Sequence, residues 1–367
     1  MSKPSEEISE LLYGNEVARL ELELEKARNR ANAKATALRH AVRELERLQQ
    51  ALGVQEELLT ATPKPPKWLQ PGKGKVSKRV TVCTMLSDTH FDEVVNPDEV
   101  NYLNAYNREI ATARLRRYFD RVISIPRDHF AGPEYSGVVV FMAGDMISGD
   151  IHDELVQTNE DTVLGTLLYW SEQLAAGFEM LADFYPAVHV VSVCGNHGRR
   201  TRKERAKLRA RDSFDWLLSH MTKRACSNKK ITWDIPEEAD ARVTVQNTRY
   251  LLTHGNLGFS GGNGIGGAWT AIMRGDMRRR QREAFGGKPY DVLLAGHYHT
   301  YRLGNEFVIN GSMKGVDEYA YVNGFGLEVP KQALWLETPA FGAFAHTPIF
   351  CAPMTDDGIV DRKAEGW

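Results

Sequence analysis

Five short apolar runs end in polar motifs, in a fixed order along this 367-residue chain, and this pattern limits the fold more than any other feature. Each run has the length of a strand. A strand that ends in Gly, Asp, Asn or His places polar atoms at the carboxyl edge of a sheet, where α/β proteins usually build their ligand sites. The runs and motifs are, in order, 80–86 with Asp88-Thr89-His90, 138–142 with Gly144-Asp145, 188–193 with Gly195-Asn196-His197, 250–252 with Thr253-His254-Gly255, and 292–295 with Gly296-His297-Tyr298-His299.

The side chains of these motifs are those that hold hard divalent cations. They supply carboxylate, amide and imidazole groups and no thiolate, and thiolates would select softer metals. Two ions about 3.5–4 Å apart need one bridging carboxylate and several terminal ligands. Strand–helix alternation continues to about residue 310, which predicts an α/β sandwich around such a site.

The ordered set resembles the motif pattern of the calcineurin-like metallophosphoesterase superfamily over about residues 80–301. The resemblance implies a metallophosphoesterase-type αββα sandwich. It also implies that a hydroxide held between two metal ions attacks phosphorus in line with the leaving oxygen. Asp145 would bridge the ions. By the same resemblance, Asp88, His90 and His299 would bind the first ion, and Asn196, His254 and His297 would bind the second.

His197 is the candidate catalytic residue, since the resemblance implies that it protonates the leaving alkoxide or stabilises its charge. The superfamily usually has Asp or Glu after Gly-Asn-His, whereas Gly198 follows here. Either another residue orients the histidine, for which Asp212 and Asp215 are candidates, or the leaving-group step differs. The residues after Asp145 also lack the Asp-Arg-Gly of the protein Ser/Thr phosphatases in this superfamily, which disfavours a phosphoprotein substrate.

Positive charge is concentrated directly after the third motif. Arg199, Arg200 and Arg202 open this basic run and are candidates for phosphate binding. A second basic group at 274–282 repeats arginine every fourth residue, which on a helix forms one stripe. The alternative for both groups is a solvated helix face. His152 either contacts the substrate or begins a helix.

The N-terminal region carries a heptad pattern. Its apolar residues alternate three and four positions apart, which predicts an amphipathic helix over 15–55 that pairs as a coiled-coil homodimer through 15–53. The alternatives are a helix packed on its own catalytic domain and a helical hairpin. The seam consists of Val17, Leu20, Leu24, Ala27, Ala31, Lys34, Leu38, Ala41, Leu45, Leu48 and Leu52.

The remaining boundaries follow from composition and from the extent of the motifs. Residues 1–14 are expected to be a flexible N-terminus, and the Pro- and Lys-rich stretch 56–76 an extended linker. The metallophosphoesterase domain is predicted to span 77–345, and a C-terminal tail 346–367.

Composition limits the setting of the protein. The net charge of −2 predicts no global attraction to nucleic acid. No apolar run approaches the roughly 20 residues that span a bilayer, and the first residues lack the apolar core of a secretory signal. The four cysteines show no paired spacing, which argues against a disulfide framework. We therefore expect a cytoplasmic protein without membrane contact, in the host cytoplasm if a phage encodes it.

The leading hypothesis for function is a two-metal DNA nuclease or phosphodiesterase. By resemblance it is most similar to the nuclease subunit of DNA double-strand-break repair complexes and its bacteriophage-encoded relatives, with nucleic acid bound through its phosphate backbone. Manganese is the metal that this resemblance implies, and the ligand types also allow iron or zinc. The alternatives are a phosphodiesterase or phosphatase for nucleotides and other small phosphoesters, and a non-catalytic module of a DNA-processing assembly.

Overall fold

The computed structural model describes residues 20–26, 28, 29, 32, 34, 39, 66–69, 79–130, 132–259 and 267–352. The chain divides into two units, Met1–Lys64 and Pro65–Trp367. In the first unit every described residue is helical, and Leu20 and Leu24 of the predicted seam are 61% and 52% exposed. Lys34 is the third seam residue that is described; the other eight, and the predicted N-terminus 1–14, lie outside the described residues.

The second unit contains two β-sheets. In the first sheet the strand order is β11-β10-β1-β2-β3-β4, with β1 to β4 parallel and β10 and β11 antiparallel; in the second sheet it is β5-β6-β7-β9-β8, with β6, β7 and β9 parallel. The strands are β1 (Arg79–Leu86), β2 (Glu134–Met142), β3 (Val188–Ser192), β4 (Ile231–Asp234), β5 (Ala241–Val245), β6 (Thr248–Thr253), β7 (Val292–Ala295), β8 (Arg302–Leu303), β9 (Phe307–Ile309), β10 (Lys331–Thr338) and β11 (Gly342–Phe350).

Helices follow several of the parallel strands. Four of the described helices begin with a side-chain cap that satisfies a free backbone N–H: Asn107 accepts from Ile110, Thr162 from Gly165, Ser213 from Asp215, and Asp317 from Ala320. The helices are α1 (Arg108–His129), α2 (Asp153–Thr158), α3 (Val163–Phe184), α4 (Phe214–Ala225), α5 (Gly267–Phe285) and α6 (Glu318–Val322). Within the described part of the chain no helix is long and apolar enough to cross a membrane.

The side chains of β1 show how the layers stack. Val80, Val82 and Leu86 pack into the core beneath α1 and α3, whereas Cys83 and Met85 point to the opposite face and pack against the second sheet. Successive strand residues face opposite sides, so this strand is buried on both. A third core lies between the outer face of the second sheet and α5. The order helix, sheet, sheet, helix confirms the predicted αββα sandwich.

Two segments differ from the predicted domain boundaries, because parts of the predicted linker and of the predicted tail pack into the domain. The predicted linker 56–76 contains a short 3-10 turn, Lys67–Leu69, in which Trp68 and the fully buried Leu69 pack into the core between the sheets. The Leu69 carbonyl accepts a hydrogen bond from the Gln246 N–H at 2.8 Å. This part of the segment is therefore anchored, because its apolar side chains find a hydrophobic cavity that composition alone does not reveal.

The predicted start of the tail at residue 346 falls inside strand β11. This strand runs to Phe350, and Cys351 and Ala352 after it are buried. The correction has a simple cause: β11 pairs with β10 along its whole length, but its half-buried pattern lacks clear alternation and is therefore a weak sequence signal. Residues 353–367 of the predicted tail lie outside the described residues.

A buried carboxyl group gives the fold a testable pH dependence. Glu337 of β10 is fully buried and accepts hydrogen bonds from the hydroxyls of Thr248 and Tyr250 at 2.5 Å each. Burial raises the pKa of Glu337 from 4.5 to about 7. Between these values the folded state keeps a proton that the unfolded state releases, so the free energy of unfolding falls as the pH rises.

We expect the Glu337→Gln variant, which stays neutral, to lose less stability than the wild type between pH 5 and pH 8. The difference should be on the order of 2 kcal/mol, since one pKa unit corresponds to about 1.4 kcal/mol. Urea unfolding at both pH values measures it. Glu306→Gln, at an exposed side chain, is the matched control and should follow the wild type. Parallel pH profiles for wild type and Glu337→Gln would contradict the raised pKa.

Candidate metal centre

The five motifs lie at the carboxyl ends of adjacent parallel strands. Asp88 and His90 follow β1, Asp145 follows β2, and Asn196 follows β3, and these three strands are neighbours in the first sheet. His254 follows β6 and His297 and His299 follow β7, which are neighbours in the second sheet. The sandwich brings the two sets together.

Close approach of two loops explains why glycines precede Asp145 and Asn196. A Cβ atom on Gly144 would lie 2.3 Å from the Gly195 nitrogen, and one on Gly195 would lie 2.1 Å from Asp145 Oδ1. Contacts this short are not possible for a side chain, and Gly144 also has a φ of +84° that other residues rarely adopt. The glycines therefore let the two loops touch.

Five of the seven predicted ligand residues have a left-handed backbone. Their φ values lie between +44° and +72°, a region in which non-glycine residues are uncommon. Such conformations cost on the order of 1–3 kcal/mol each and persist where the surrounding structure enforces them, often at functional sites. These residues are Asp88, His90, Asp145, His297 and His299.

The first cluster of possible metal ligands consists of Asp88, His90 and His299. One ligand atom from each lies within 4.8 Å of the others. The Nε2 atoms of His90 and His299 are 3.1 Å apart, and His299 Nε2 lies 3.5 Å from Asp88 Oδ1. This is the set predicted for the first ion.

The second cluster consists of Asp145, His254 and His297, again within 4.8 Å. His254 Nε2 lies 3.0 Å from Asp145 Oδ2 and 3.0 Å from the side-chain oxygen of Asn196. The residues predicted for the second ion and the predicted bridging carboxylate are therefore brought together.

His197 lies beside both clusters. Its ring centroid is 4.4 Å from that of His90, and it forms a third group of possible ligands with His90 and Asp145. Its backbone N–H donates to Asp145 Oδ1 at 2.7 Å, and its Nδ1 lies 2.8 Å from the Ser148 carbonyl oxygen. Because a carbonyl can only accept, Nδ1 carries a proton in this contact, and Nε2 is the nitrogen left for chemistry.

Burial and mutual proximity shift the pKa values in this centre. Burial raises the pKa of Asp88 to about 7 and lowers those of His90 and His297 to about 4 and about 3. For Asp145, burial is outweighed by His254 and His197, and its pKa lies well below the usual value. Burial likewise opposes the charge on His254, but Asp145 raises its pKa to about 9. His90 and His297 are therefore neutral imidazoles, the form that binds a divalent cation, whereas His254 would release its proton when a cation binds.

A buried carboxylate supports His90 from behind. Glu93 Oε2 lies 3.2 Å from His90 Nδ1, and Lys314 Nζ pairs with Glu93 Oε1 at 2.7 Å. Lys314 and His90 hold the pKa of Glu93 well below its usual value against the effect of burial. Metal-binding histidines usually have such a carboxylate on the second ring nitrogen. Neither Glu93 nor Lys314 was predicted from sequence, and the one sequence signal is the position of Glu93 three residues after His90.

Asp215 fills the space that an acid at position 198 would occupy. A Cβ atom on Gly198 would lie 2.7 Å from Asp215 Cγ. The buried Asp215 carboxylate accepts hydrogen bonds from the backbone N–H groups of Asp145, Met146 and Gly195 at 3.1, 3.2 and 2.8 Å. It therefore ties together the two loops that carry Asp145 and Asn196. Asp212, the other candidate, instead pairs with Arg200 at 3.1 Å.

Arg199 stabilises its own loop. Its guanidinium group donates to the backbone carbonyls of Asn196, Thr201 and Arg202 at 2.8, 2.9 and 3.0 Å. It contributes positive charge near the centre, but its donors are engaged by the protein. Its clearest role in this structure is to hold the loop that carries Asn196.

The other predicted substrate contacts lie on the surface. The side chains of Arg200 and Arg202 are 63% and 75% exposed, and Arg202 pairs with Asp153. His152 is exposed at the residue before α2, where its side chain makes no capping hydrogen bond. Its ring centroid lies 6.1 Å from that of His197. His152 therefore begins a helix and also stands at the rim of the centre.

Comparison with known proteins finds only distant structural likeness. A scan against protein-family profiles found no match, and no curated protein sequence matches the chain. Among solved structures, Vps29 from Entamoeba histolytica in complex with Zn²⁺ is 12% identical with a TM-score of 0.27, over 73% of this chain and 97% of Vps29. Vps29 from Cryptosporidium parvum is 13% identical with a TM-score of 0.29, over the same shares.

The sulfate thiohydrolase SoxB from Thermus thermophilus, in complex with glycerol, is 9% identical with a TM-score of 0.29. The match covers 80% of this chain and 60% of SoxB. All three TM-scores are below 0.5, so these likenesses carry no weight for function.

The role of Asp215 can be tested by moving its carboxylate from position 215 to position 198. We expect Asp215→Ala to lower the free energy of unfolding by about 3 kcal/mol, because three buried N–H groups lose a charged acceptor. Gly198→Asp alone should also destabilise, since its side chain would collide with Asp215. The double variant should recover at least about 1 kcal/mol relative to Asp215→Ala. Urea unfolding measures all three, and a double variant no more stable than Asp215→Ala would refute the exchange.

Proposed function

We propose that this chain is a two-metal phosphoester hydrolase of the calcineurin-like metallophosphoesterase type that acts on nucleic acid. The observation that carries this proposal is the convergence of two ligand clusters, each of which combines residues that follow strands of both sheets. Asp145 belongs to one cluster and also forms a third group of possible ligands with His90, a residue of the other cluster, and His197. Each cluster has two buried residues and one half-buried histidine, and its carboxylate and imidazole groups are ligands of divalent cations. Bound there, two such ions would activate a water and polarise the phosphoryl oxygens.

The residues of the candidate metal centre would have different roles in hydrolysis. Asp145 lies between the clusters, and its carboxylate is fixed by the N–H of His197. His197 would give a proton from Nε2 to the leaving oxygen in its imidazolium form, and would keep the Nδ1 proton that it donates to the Ser148 carbonyl. Asn196 and Asp215 would keep the loop geometry that aims these groups.

Nucleic acid as the substrate class is supported by the arginines around the centre, which include Arg199, Arg200 and Arg202. A DNA nuclease of the repair or phage type, and manganese as the ion, remain part of the proposal. One observation favours a smaller substrate instead. Arg200, Arg202 and Arg209 form ion pairs with Asp212, Asp153 and Glu204, which leaves less charge for a long polyanion. A nucleotide or small phosphodiester is therefore the second candidate.

The test supplies Mn²⁺ and compares single- and double-stranded DNA, linear and circular, with RNA, a small aryl phosphodiester and a monoester. We expect Asp145→Asn to reduce kcat for every substrate by about a thousandfold, since loss of a bridging ligand removes several kcal/mol of charge stabilisation. Asp183→Asn, an exposed carboxylate near the end of α3, is the control and should behave as the wild type.

The substrate range separates the candidates. If the wild type hydrolyses nucleic acid and Asp145→Asn does not, the result supports the nuclease. If the wild type hydrolyses only the small esters, the result supports the second candidate. Full activity in Asp145→Asn would contradict a two-metal mechanism. A wild type that hydrolyses none of these substrates would favour a non-catalytic module.

We also propose that the N-terminal helix forms a homodimeric coiled coil. Glu23 of one helix would then face Arg28 of the other, a favourable pair. The helical state of residues 20–26 and the exposure of Leu20 and Leu24 support this pairing.

A matched pair of leucine substitutions in the full chain tests the dimer. Leu24 lies on the seam, whereas Leu22 lies on the opposite side of the same helix turn and is also half exposed. We expect Leu24→Asp to raise the dissociation constant of the dimer at least about tenfold, a change of about 1.4 kcal/mol. Leu22→Asp should leave it unchanged. Light scattering over a concentration series measures both, and a monomeric wild type would end the proposal.

A further inference from the structure

A cavity lined by arginines opens beside the metal centre. It has a volume of about 240 Å³, and its wall includes His254, a residue of the second ligand cluster. Four guanidinium groups line it, from Arg209, Arg278, Arg279 and Arg282, together with the carboxylate of Asp240. We call this cavity the arginine pocket. Arg278 and Arg282 belong to the second basic group of the sequence, whereas Arg199, Arg200, Arg202 and His152 do not line the pocket.

Arg279 is built into the wall of the arginine pocket. It is only 6% exposed, and its Nη2 donates to the Leu257 carbonyl at 2.7 Å and to the Thr253 hydroxyl at 3.2 Å. Its guanidinium carbon lies 4.3 Å above the centre of the Phe259 ring. Among the described residues its Nε has no hydrogen-bond partner. A buried donor without an acceptor is costly, so this group points to a ligand.

Arg209 joins the pocket to the metal-binding loops. Its Nη2 donates to the Asn256 side-chain oxygen at 2.8 Å, two residues after His254, and lies 3.5 Å from the Cys194 carbonyl, two residues before Asn196. Its Nη1 pairs with Glu204 at 2.5 Å. The arginine is therefore fixed in position by both motif loops.

Carboxylates offset part of the charge. Asp240 pairs with Arg282 and lies 3.8 Å from Arg279 Nε, and Glu283 lies 2.8 Å from Arg282. Arg278 is exposed at the mouth, with its Nη1 3.5 Å from the Gly258 carbonyl. Four forked donors around one lining carboxylate select an anion with several oxygens, because guanidinium groups match phosphate geometry.

We propose that the arginine pocket binds a phosphate group other than the one that is cleaved, next to the scissile phosphate at the metal centre. The volume supports this choice, since it is below the roughly 300 Å³ of a typical small-molecule pocket. This inference rests on the proposed function for the place of the scissile phosphate. The phosphate could be an internal phosphate of a nucleic acid strand or a terminal 5′-phosphate, and both offer the same oxygens.

The kinetic test uses Arg278→Gln, which removes an exposed charge at the mouth of the pocket. Arg274→Gln removes the same charge one helical turn earlier on α5, outside the pocket. The substrates are a short oligothymidylate, with and without a 5′-phosphate, and an aryl phosphodiester that has a single phosphate. We expect Arg278→Gln to lower the ratio of kcat/KM for the oligonucleotide to that for the aryl diester about tenfold, with no change in Arg274→Gln.

The two oligonucleotides identify the source of the phosphate. A loss confined to the 5′-phosphorylated form assigns a terminal phosphate, and an equal loss with both forms assigns an internal one. If the ratio of kcat/KM for the oligonucleotide to that for the aryl diester is the same in Arg278→Gln and Arg274→Gln, the arginine pocket does not bind phosphate. Any effect of the two substitutions would then come from the loss of positive charge in general.

A binding measurement separates this inference from the proposed function. Fluorescence anisotropy of a labelled oligothymidylate is followed with the metal-free full chain. We expect Arg278→Gln, and not Arg274→Gln, to weaken binding about tenfold. If the protein hydrolyses nothing with Mn²⁺ but this difference appears, the proposed function fails and the pocket stands. If hydrolysis occurs but all three proteins bind equally, the pocket fails and the proposed function stands.

Discussion

The centre depends on contact between the loop after β2 and the loop after β3. No side chain fits between Gly144 and Gly195, and Asp145 Oδ1 accepts from the N–H of His197 as a result of this contact. The carboxylate of Asp215 fixes the same two loops by accepting from three of their N–H groups. Because three hydrogen bonds to Asp215 hold these loops, the side chains that they carry have fixed positions, which is how a protein preorganises a metal site.

The convergence of the candidate ligands could be predicted from sequence, because each of them follows an apolar strand and parallel neighbours end at the same edge. The supporting groups could not. Asp215 lies 17 positions after Gly198, on a helix, and only the packed structure shows that its carboxylate takes the space beside that glycine. Lys314 and Glu93 pair although 221 positions separate them in the sequence. The left-handed backbone of Asp88 is equally hidden, since tertiary contacts impose it against local preference.

The layers of the sandwich could be predicted from strand–helix alternation, but its limits could not. Trp68 and Leu69 stand among prolines and lysines, and their burial depends on a gap between two sheets that form from distant segments. Strand β11 has a half-buried pattern without clear alternation, so it becomes visible only through its pairing with β10. In both cases long-range packing, and not local composition, determines the structure of the segment.

The ion pairs around the arginines have a consequence for how the protein would respond to salt. Binding of a polyanion becomes salt-dependent because cationic side chains displace condensed counterions from the phosphates. An arginine such as Arg202 or Arg209, already neutralised by a carboxylate of the protein, must first break that pair before it can displace a counterion. The slope of binding affinity against salt concentration would therefore depend on the number of cationic side chains that are not paired with carboxylates, and not on the total number of arginines.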